Sequence, residues 1–256
     1  CVAVVKVSRA CNMSCKYCYA YSGPGQGAMS VEIAKRIMDR LLDLPQRRIS
    51  IQWGGGEPLL AFDVVREATE YAISRAKRVG KRLNFVMQTN GTLLSDPIVR
   101  TLKKLRIGVG ISIDGDKNTN DQVRVFPSGR GSHARIVEGI RRVISLGHDC
   151  GCIVTVTKCN ADRISEIIRH LCGLGLRSFK INSCRNMGRA KGSALYLSAS
   201  EFFDVKLAAL DEMDRLRSRY RLSTSGNTRV VAGNILSQYR KHPLCYSSPS
   251  CGAGSR

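Results

Sequence analysis

Carboxylates are scarce in this chain. Across 256 residues, 20 Asp and Glu stand against 41 Lys and Arg, a formal net charge of +21. The imbalance favours an acidic partner, either an acidic peptide or nucleic acid. Basic residues collect at Arg75, Lys77, Arg78, Lys81 and Arg82, at Arg100, Lys103, Lys104 and Arg106, and at Arg215, Arg217, Arg219 and Arg221. Any one of these clusters also fits a solvated helix face. No apolar run approaches the roughly 20 residues that span a bilayer, and no tripartite secretory signal opens the chain. A membrane span is thereby excluded, and a cytoplasmic protein is expected. Only four histidines occur, widely spaced in sequence, so they are expected to form no cluster and are given no catalytic task. No internal repeat or low-complexity tract appears.

Cysteine, by contrast, is plentiful. Eleven cysteines are an odd number in a chain too large for a disulfide-stapled secreted module, which favours a reducing compartment. Cys150, Cys152, Cys159, Cys172 and Cys184 are scattered and read as small buried apolar residues, the first two on one face of a strand. Cys1 rather than Met stands first, and Cys251-Gly252-Ala253-Gly254-Ser255-Arg256 stands last, so a piece of a longer protein is expected.

Apolar, β-branched runs alternate with longer amphipathic segments, the pattern of strand–helix units on a parallel sheet. Strands are predicted at 2–7, 49–53, 83–88, 109–113, 152–157 and 178–181, and helices at 31–44, 64–79, 97–105, 134–146, 164–171 and 199–220. Six successive units of this length suit one catalytic α/β domain, as an open barrel or a two-sided sheet. Motif placement favours the barrel. The Cys11–Cys18 loop, Gly54-Gly55-Gly56, Thr89-Asn90-Gly91 and Asp114-Gly115 all follow predicted strands, so all gather at the C-terminal mouth where α/β barrels keep their chemistry. Gly23-Pro24-Gly25-Gln26-Gly27 reads as a flexible loop, and Gly129-Arg130-Gly131-Ser132 as a loop ending at a helix N-cap. The alternation fades after Tyr220, which places a domain at 1–220 and a linker with the start of an extension at 221–256.

The run Cys11-Asn12-Met13-Ser14-Cys15-Lys16-Tyr17-Cys18 resembles the signature of the radical SAM superfamily. A [4Fe–4S] cube usually takes four thiolates, so three leave one iron open for a ligand. Zinc would need a fourth Cys or His close by, and none follows until His133. A zinc-stabilised, non-enzymatic binding module and a dithiol pair are the alternatives. The resemblance implies a partial (β/α)6 TIM-like barrel, with Cys11, Cys15 and Cys18 as cluster ligands and S-adenosylmethionine (SAM) as the second cofactor.

Further motifs extend the likeness along nearly the whole chain. Gly54-Gly55-Gly56-Glu57-Pro58 resembles the family's Gly-Gly-Glu motif, which implies that Gly55, Gly56 and Glu57 bind the methionine amino group. Glycines there let a backbone approach a ligand that a Cβ would exclude. Gly54 departs from the Gln or His often found before that motif. Ser112-Ile113-Asp114-Gly115 with Asp121-Gln122-Val123-Arg124 resembles the Ser-x-Asp-Gly…Asp-x-x-Arg pattern of the peptide-modifying branch, implying SAM ribose and carboxylate contacts for Ser112 and Arg124. A strand-end hydroxyl and a surface ion pair are their bland readings. Thr89 and Asn90 resemble that branch's Thr-Asn-Gly beside the cofactor, although Asn-Gly is also a common turn. Tyr17 holds the aromatic position whose backbone lies near adenine in the family, with its side chain free to pack.

Cys245 and Cys251, the latter in Cys251-Gly252-Ala253-Gly254, resemble the opening of a SPASM or twitch-like extension, and Gly188-Arg189-Ala190 stands where many enzymes with that extension carry it. Auxiliary [4Fe–4S] clusters are implied for the parent protein. The implied activity is reductive cleavage of SAM to a 5′-deoxyadenosyl radical that abstracts hydrogen from a peptide or protein side chain. Maturation of a ribosomally made, acidic peptide is favoured, with flavodoxin or ferredoxin as electron donor. Anaerobic sulfatase maturation and RNA modification are the alternatives. No residue is assigned as a catalytic acid or base.

Overall fold

The computed structural model describes residues 1–222. Six strands alternate with helices: β1 Val2–Ser8, α1 Val31–Asp43, β2 Arg48–Gly55, α2 Phe62–Arg78, β3 Arg82–Thr89, α3 Asp96–Lys104, β4 Ile107–Ser112, α4 Lys117–Val123, α5 His133–Ser145, β5 Cys150–Val156, α6 Ile164–Gly173, β6 Phe179–Ser183 and α7 Ala199–Tyr220. Single 3-10 turns occupy Pro58–Ala61, Ala161–Arg163 and Gly188–Ala190.

Helices α1 and α7 are set by their own sequences. In α1 the Ser30 hydroxyl accepts from the Ile33 amide, and Ala34, Met38 and Leu42, four residues apart, form the buried stripe. Helix α7 opens with a reciprocal capping box between Ser198 and Glu201 and closes at Arg221 in the left-handed conformation.

All six strands pair in parallel in the order β1-β2-β3-β4-β5-β6. This order separates the two architectures left open by periodicity. A doubly wound sheet reverses direction once, whereas right-handed crossovers that always step the same way leave every helix on one face. The result is an open partial barrel with β1 and β6 as its edges.

Alternation along the strands sorts the two faces. Ile51 and Trp53 of β2, Phe85 and Met87 of β3, and Val154 and Val156 of β5 point outward under the helices and are buried. Trp53 also donates its indole N–H to Thr69 of α2 at 3.1 Å. The inward positions stay partly open: Val2 is 67% and Val4 49% exposed. Closed α/β barrels fill that interior with side chains; this one leaves a lumen.

Predicted strands and helices agree with the observed ones to within about two residues, the usual scatter at element ends. One helix was not foreseen. Asp116 accepts from the Thr119 amide at 2.8 Å and starts α4 over a stretch without an apolar stripe. The loop expected to be flexible is tied down: the amides of Arg9 and Cys11 donate to the carbonyls of Gly27 and Gly23. Ser132 holds the N-cap position of α5 without capping it. Its hydroxyl donates to the Arg124 carbonyl at 2.7 Å, and Asp121 accepts from the His133 amide instead. Cys152, Cys172 and Cys184 are buried as expected and Cys150 is half-buried, but Cys159 is exposed. The expectation that no histidines meet is also corrected, because His133 and His170 approach to 3.3 Å between ring nitrogens. Tyr220 ends α7 near the expected boundary, and the proposed linker beyond Leu222, with Cys245 and Cys251, lies outside the described residues. Among the described residues, no helix is long and apolar enough to cross a membrane.

Candidate cofactor site

The loop that leaves β1 carries Cys11, Cys15 and Cys18, and three segments distant in sequence hold it. Ser14 and Lys16 donate their amides to the carbonyls of Val125 and Val123, both at 2.8 Å. From the far end of the chain, the Arg189 amide donates to the Cys18 carbonyl at 3.0 Å. Its guanidinium donates to the carbonyls of Cys15 at 3.2 Å and Ser22 at 2.5 Å. Gly188 is confined to glycine here, since at φ 59° a Cβ would lie 2.3 Å from the Cys18 carbonyl oxygen.

The glycine run after β2 serves a related purpose within the protein itself. A Cβ on Gly55 would lie 2.1 Å from the Ser8 carbonyl oxygen and one on Gly56 2.2 Å from that of Ala10. The close approach these glycines permit is to the cysteine loop's own backbone, sealed by hydrogen bonds from Gly56 to Ser8 and from Glu57 to Ala10. Gly54 is different: none of the described residues lies within 4 Å of its Cβ position, so the family's larger residue would find open space there.

Glu57 is fully buried. Its carboxylate accepts from the Thr89 hydroxyl at 2.6 Å, the Asn90 amide at 2.7 Å and the Leu59 amide at 3.0 Å. Burial raises its pKa against those three hydrogen bonds. The ends of β2 and β3 are thus locked together under the cysteine loop. Asn90 then donates to Asn12 at 2.8 Å, reaches the Cys11 sulfur at 3.9 Å, and accepts from Thr92, which in turn accepts from Asn12. Thr89-Asn90-Gly91 is therefore more than a turn.

On the opposite side, Tyr17 donates its hydroxyl to Asp114 at 2.5 Å and accepts from Arg124 at 2.6 Å. Arg124 stands 4.0 Å from Asp114, and both side chains are buried. The surface ion pair that was the bland alternative for Arg124 is thus replaced by an interior network, and the Tyr17 side chain is a polar partner as well as a packing group. Burial raises the pKa of Asp114 against the opposing pull of Arg124, Tyr17 and the Thr155 amide. Burial also disfavours the Arg124 cation, yet Tyr17, Cys15 and Asp114 hold its pKa above the ordinary guanidinium value. Ser112 ends β4 on the lumen side, half-buried.

Burial pushes the Cys11 thiol up to about 11 and raises that of Cys15, with Arg124 pulling the latter down. A metal centre binds thiolates and releases these protons. Two features of the chain fit the implied cofactors. The Cys11 sulfur already accepts from the Met13 amide at 3.4 Å, the kind of hydrogen bond that tunes cluster sulfurs. Among the described residues the Arg124 Nε is buried without a partner, a donor that an incoming carboxylate would satisfy. Among the described residues, no three Cys, His, Asp or Glu side chains gather tightly enough for a single metal ion. A cube, with one iron per thiolate, asks for a wider spacing.

A family model described as the Radical SAM superfamily matches residues 5–171. The chain belongs to the radical SAM superfamily. An uncharacterised protein of Methanocaldococcus jannaschii is 32% identical over 179 residues, covering 70% of this chain and 61% of that protein. A serine-type anaerobic sulfatase-maturating enzyme of Bacteroides thetaiotaomicron is 29% identical over 171 residues, 63% of this chain and 40% of the enzyme. The chain therefore spans between two fifths and three fifths of these relatives' lengths. Among solved structures, anSMEcpe with bound AdoMet and Cp18Cys peptide aligns with TM-score 0.75 at 19% identity, over 85% of this chain and 60% of that one. Streptococcus suis SuiB bound to its precursor peptide SuiA aligns with TM-score 0.65 at 18% identity, over 91% and 51%. These two establish the radical SAM fold.

The geometry brings Cys11, Cys15, Cys18, Tyr17, Gly55, Gly56, Glu57, Thr89, Asn90 and Arg124 to one mouth of this barrel, with Ser112 at its inner wall. Sequence reasoning quoted Asp114 and Arg189 within motifs but gave neither a role, and it passed over Asn12 and Thr92. For each of them one partner lies 80 or more residues away in sequence, as with Asn12 and Thr92, Tyr17 and Asp114, and Arg189 and Cys15. No local signal carries such pairings.

Proposed function

We propose that this chain is the catalytic barrel of a radical SAM enzyme that modifies a peptide or protein side chain, most closely a maturase that crosslinks or otherwise alters a ribosomally made peptide. Cys11, Cys15 and Cys18 would hold a [4Fe–4S] cluster. The backbone of Gly55 and Gly56 with Glu57 would meet the SAM amino group, Arg124 its carboxylate, Ser112 its ribose, and the Tyr17 backbone its adenine. When bound, cluster and SAM together would supply the radical chemistry for abstracting one substrate hydrogen. The observation that carries this reading is the Arg124 Nε, buried beside the cysteine loop and unpartnered among the described residues.

The chain's own contribution is to hold and to shield. Arg189 and the 123–125 segment fix the cysteine loop, Glu57 fixes the strand ends, and the buried Asp114–Arg124–Tyr17 network orients a cation toward an anionic ligand. Auxiliary clusters would belong to the parent protein's C-terminal extension, and a flavodoxin or ferredoxin would supply the electron. Sulfatase maturation is the second reading, favoured by the Bacteroides relative.

The test combines the full-length parent protein with peptides encoded beside its gene, under reducing, oxygen-free conditions. A SAM-dependent loss of two hydrogens, or another defined mass change, is expected by mass spectrometry, and Cys11→Ala/Cys15→Ala/Cys18→Ala should abolish it. If no peptide changes while a transfer RNA is modified, the peptide assignment is wrong.

A further inference from the structure

Among the described residues, the six strands contain no Asp or Glu, and their charged residues are Lys6, Arg48, Arg82 and Lys180, all cations. Arg48 and Arg82 open β2 and β3 at the end of the barrel away from the chemistry. Lys6 and Lys180 lie elsewhere, on the two edge strands β1 and β6, at exposed inward positions.

Strand register sets their height. Ser112, Ile153 and Lys180 form one row across β4, β5 and β6, and Lys6 pairs with Gly54, the residue before the Gly-Gly-Glu motif. With strands about 4.8 Å apart, Lys180 stands about 10 Å from Ser112, level with the cofactor site. Below that row lies a cavity of about 310 Å³ lined by Gln52, Val86, Gln88, Gly110, Ile153 and Lys180, among others. Asp149 also lines it, but four residues before Ile153, so about 13 Å down the strand at the far rim. Among the described residues, the lysines in salt bridges are Lys35, Lys117 and Lys158, not Lys6 or Lys180. Lys6 instead holds its ammonium 5.1 Å from the ring centroid of Tyr19, next to Cys18. An inner wall of amides, glycines and aliphatic side chains, flanked on both edge strands by ammonium groups without a salt-bridge partner among the described residues, is complementary to carboxylates entering from the side.

We propose that Lys6 and Lys180 form an anion-selecting entrance to the lumen and that the substrate presents an acidic peptide segment to it. This deepens the peptide-modifying reading and rests on it. The test measures binding of a fluorescently labelled Glu-Ala repeat peptide and its Gln-Ala counterpart to the cluster-loaded, full-length protein at fixed salt. The Glu peptide is expected to bind about tenfold more tightly. Lys6→Gln/Lys180→Gln should erase that preference. Lys77→Gln/Arg78→Gln, the same change of net charge on exposed positions of α2, should keep it. Because Lys6 also stacks on Tyr19, Lys180→Gln alone is measured too and should lose a large part of the preference. Equal binding of the two peptides, or equal loss in both double variants, overturns the proposal in favour of general charge attraction. Displacement of the Glu peptide by glutarate at equal carboxylate concentration overturns the peptide assignment in favour of a small-anion site. Modification of a peptide at wild-type rate by the Lys6→Gln/Lys180→Gln variant sinks the entrance while sparing the function. A lysine-dependent preference without any peptide modification does the reverse.

Discussion

Arg189→Ala should release the cysteine loop. The side chain donates two charge-assisted hydrogen bonds, to the carbonyls of Cys15 and Ser22, from a half-buried position. Hydrogen bonds to charged groups contribute about 1.5–3 kcal/mol each, and at the low end of that range the pair sums to about 3 kcal/mol. The backbone bond from Arg189 to Cys18 survives the substitution, so the loss falls on local opening of the loop rather than on global unfolding. At 1.4 kcal/mol per factor of ten, 3 kcal/mol raises the open population about 100-fold. The assay is the rate of iron transfer from anaerobically reconstituted protein to an excess of a coloured chelator, read beside the melting temperature. Arg189→Ala is expected to release iron about 100-fold faster with little change in melting. Arg189→Lys, a point charge that cannot fork to two carbonyls, should fall between. Unchanged iron release in a correctly folded Arg189→Ala variant would refute the clamp.

Arg124→Ala leaves Asp114 buried without its cation and should cost about 3–5 kcal/mol of stability, visible in chemical denaturation. Asp114→Asn in the same chain should recover part of that loss, and strictly additive costs would deny the pairing. The His133–His170 pair predicts an acid-side instability. Burial lowers both pKa values below the ordinary 6.5, and for His133 the neighbouring His170 adds to the fall, while Asp121 and Asp116 oppose it. Folding therefore favours the neutral rings, so stability present above about pH 6.5 declines as pH falls through the lowered values. His133→Asn/His170→Asn should flatten the melting temperature between about pH 7 and pH 5, and an unaltered profile would exclude the pair as its source. Gly56→Ala must displace the Ala10 carbonyl or the end of β2 and should impair folding and cluster retention together, whereas Gly54→Ala, with open space at its Cβ, should leave the melting temperature within about 1 °C.

How much of this was legible in the sequence follows from the range of each interaction. Strands and helices came out within about two residues because alternation and helical stripes are local, and the exception was local too: α4 has no apolar stripe and rests on the Asp116 cap and the Asn120 side chain. The open barrel needed only that every motif follow a strand. The three cysteines and the glycine run were visible as spacings, but the packing of the glycines on the neighbouring backbone was not. Their neighbours are Ser8, the last residue of β1, and Ala10 in the loop after it, brought there by a strand register that no linear pattern reports.

Burial was the other blind spot. Arg124 sits in a polar stretch and so resembles a surface residue, yet the chain folds it against Asp114 because Tyr17, 107 positions earlier, accepts one of its donors. Isolated burial of either charge would be prohibitive, so the two are intelligible only together, and only beside Cys15. The same logic links Glu57 with Asn90 and Arg189 with Cys18. Each motif was readable as a motif because its residue types suit a cofactor, and each was placed by a partner in another motif. Their mutual contacts are therefore the stronger argument for a common site: residues kept merely for turns or solubility would have no cause to bond one another across the mouth of the barrel.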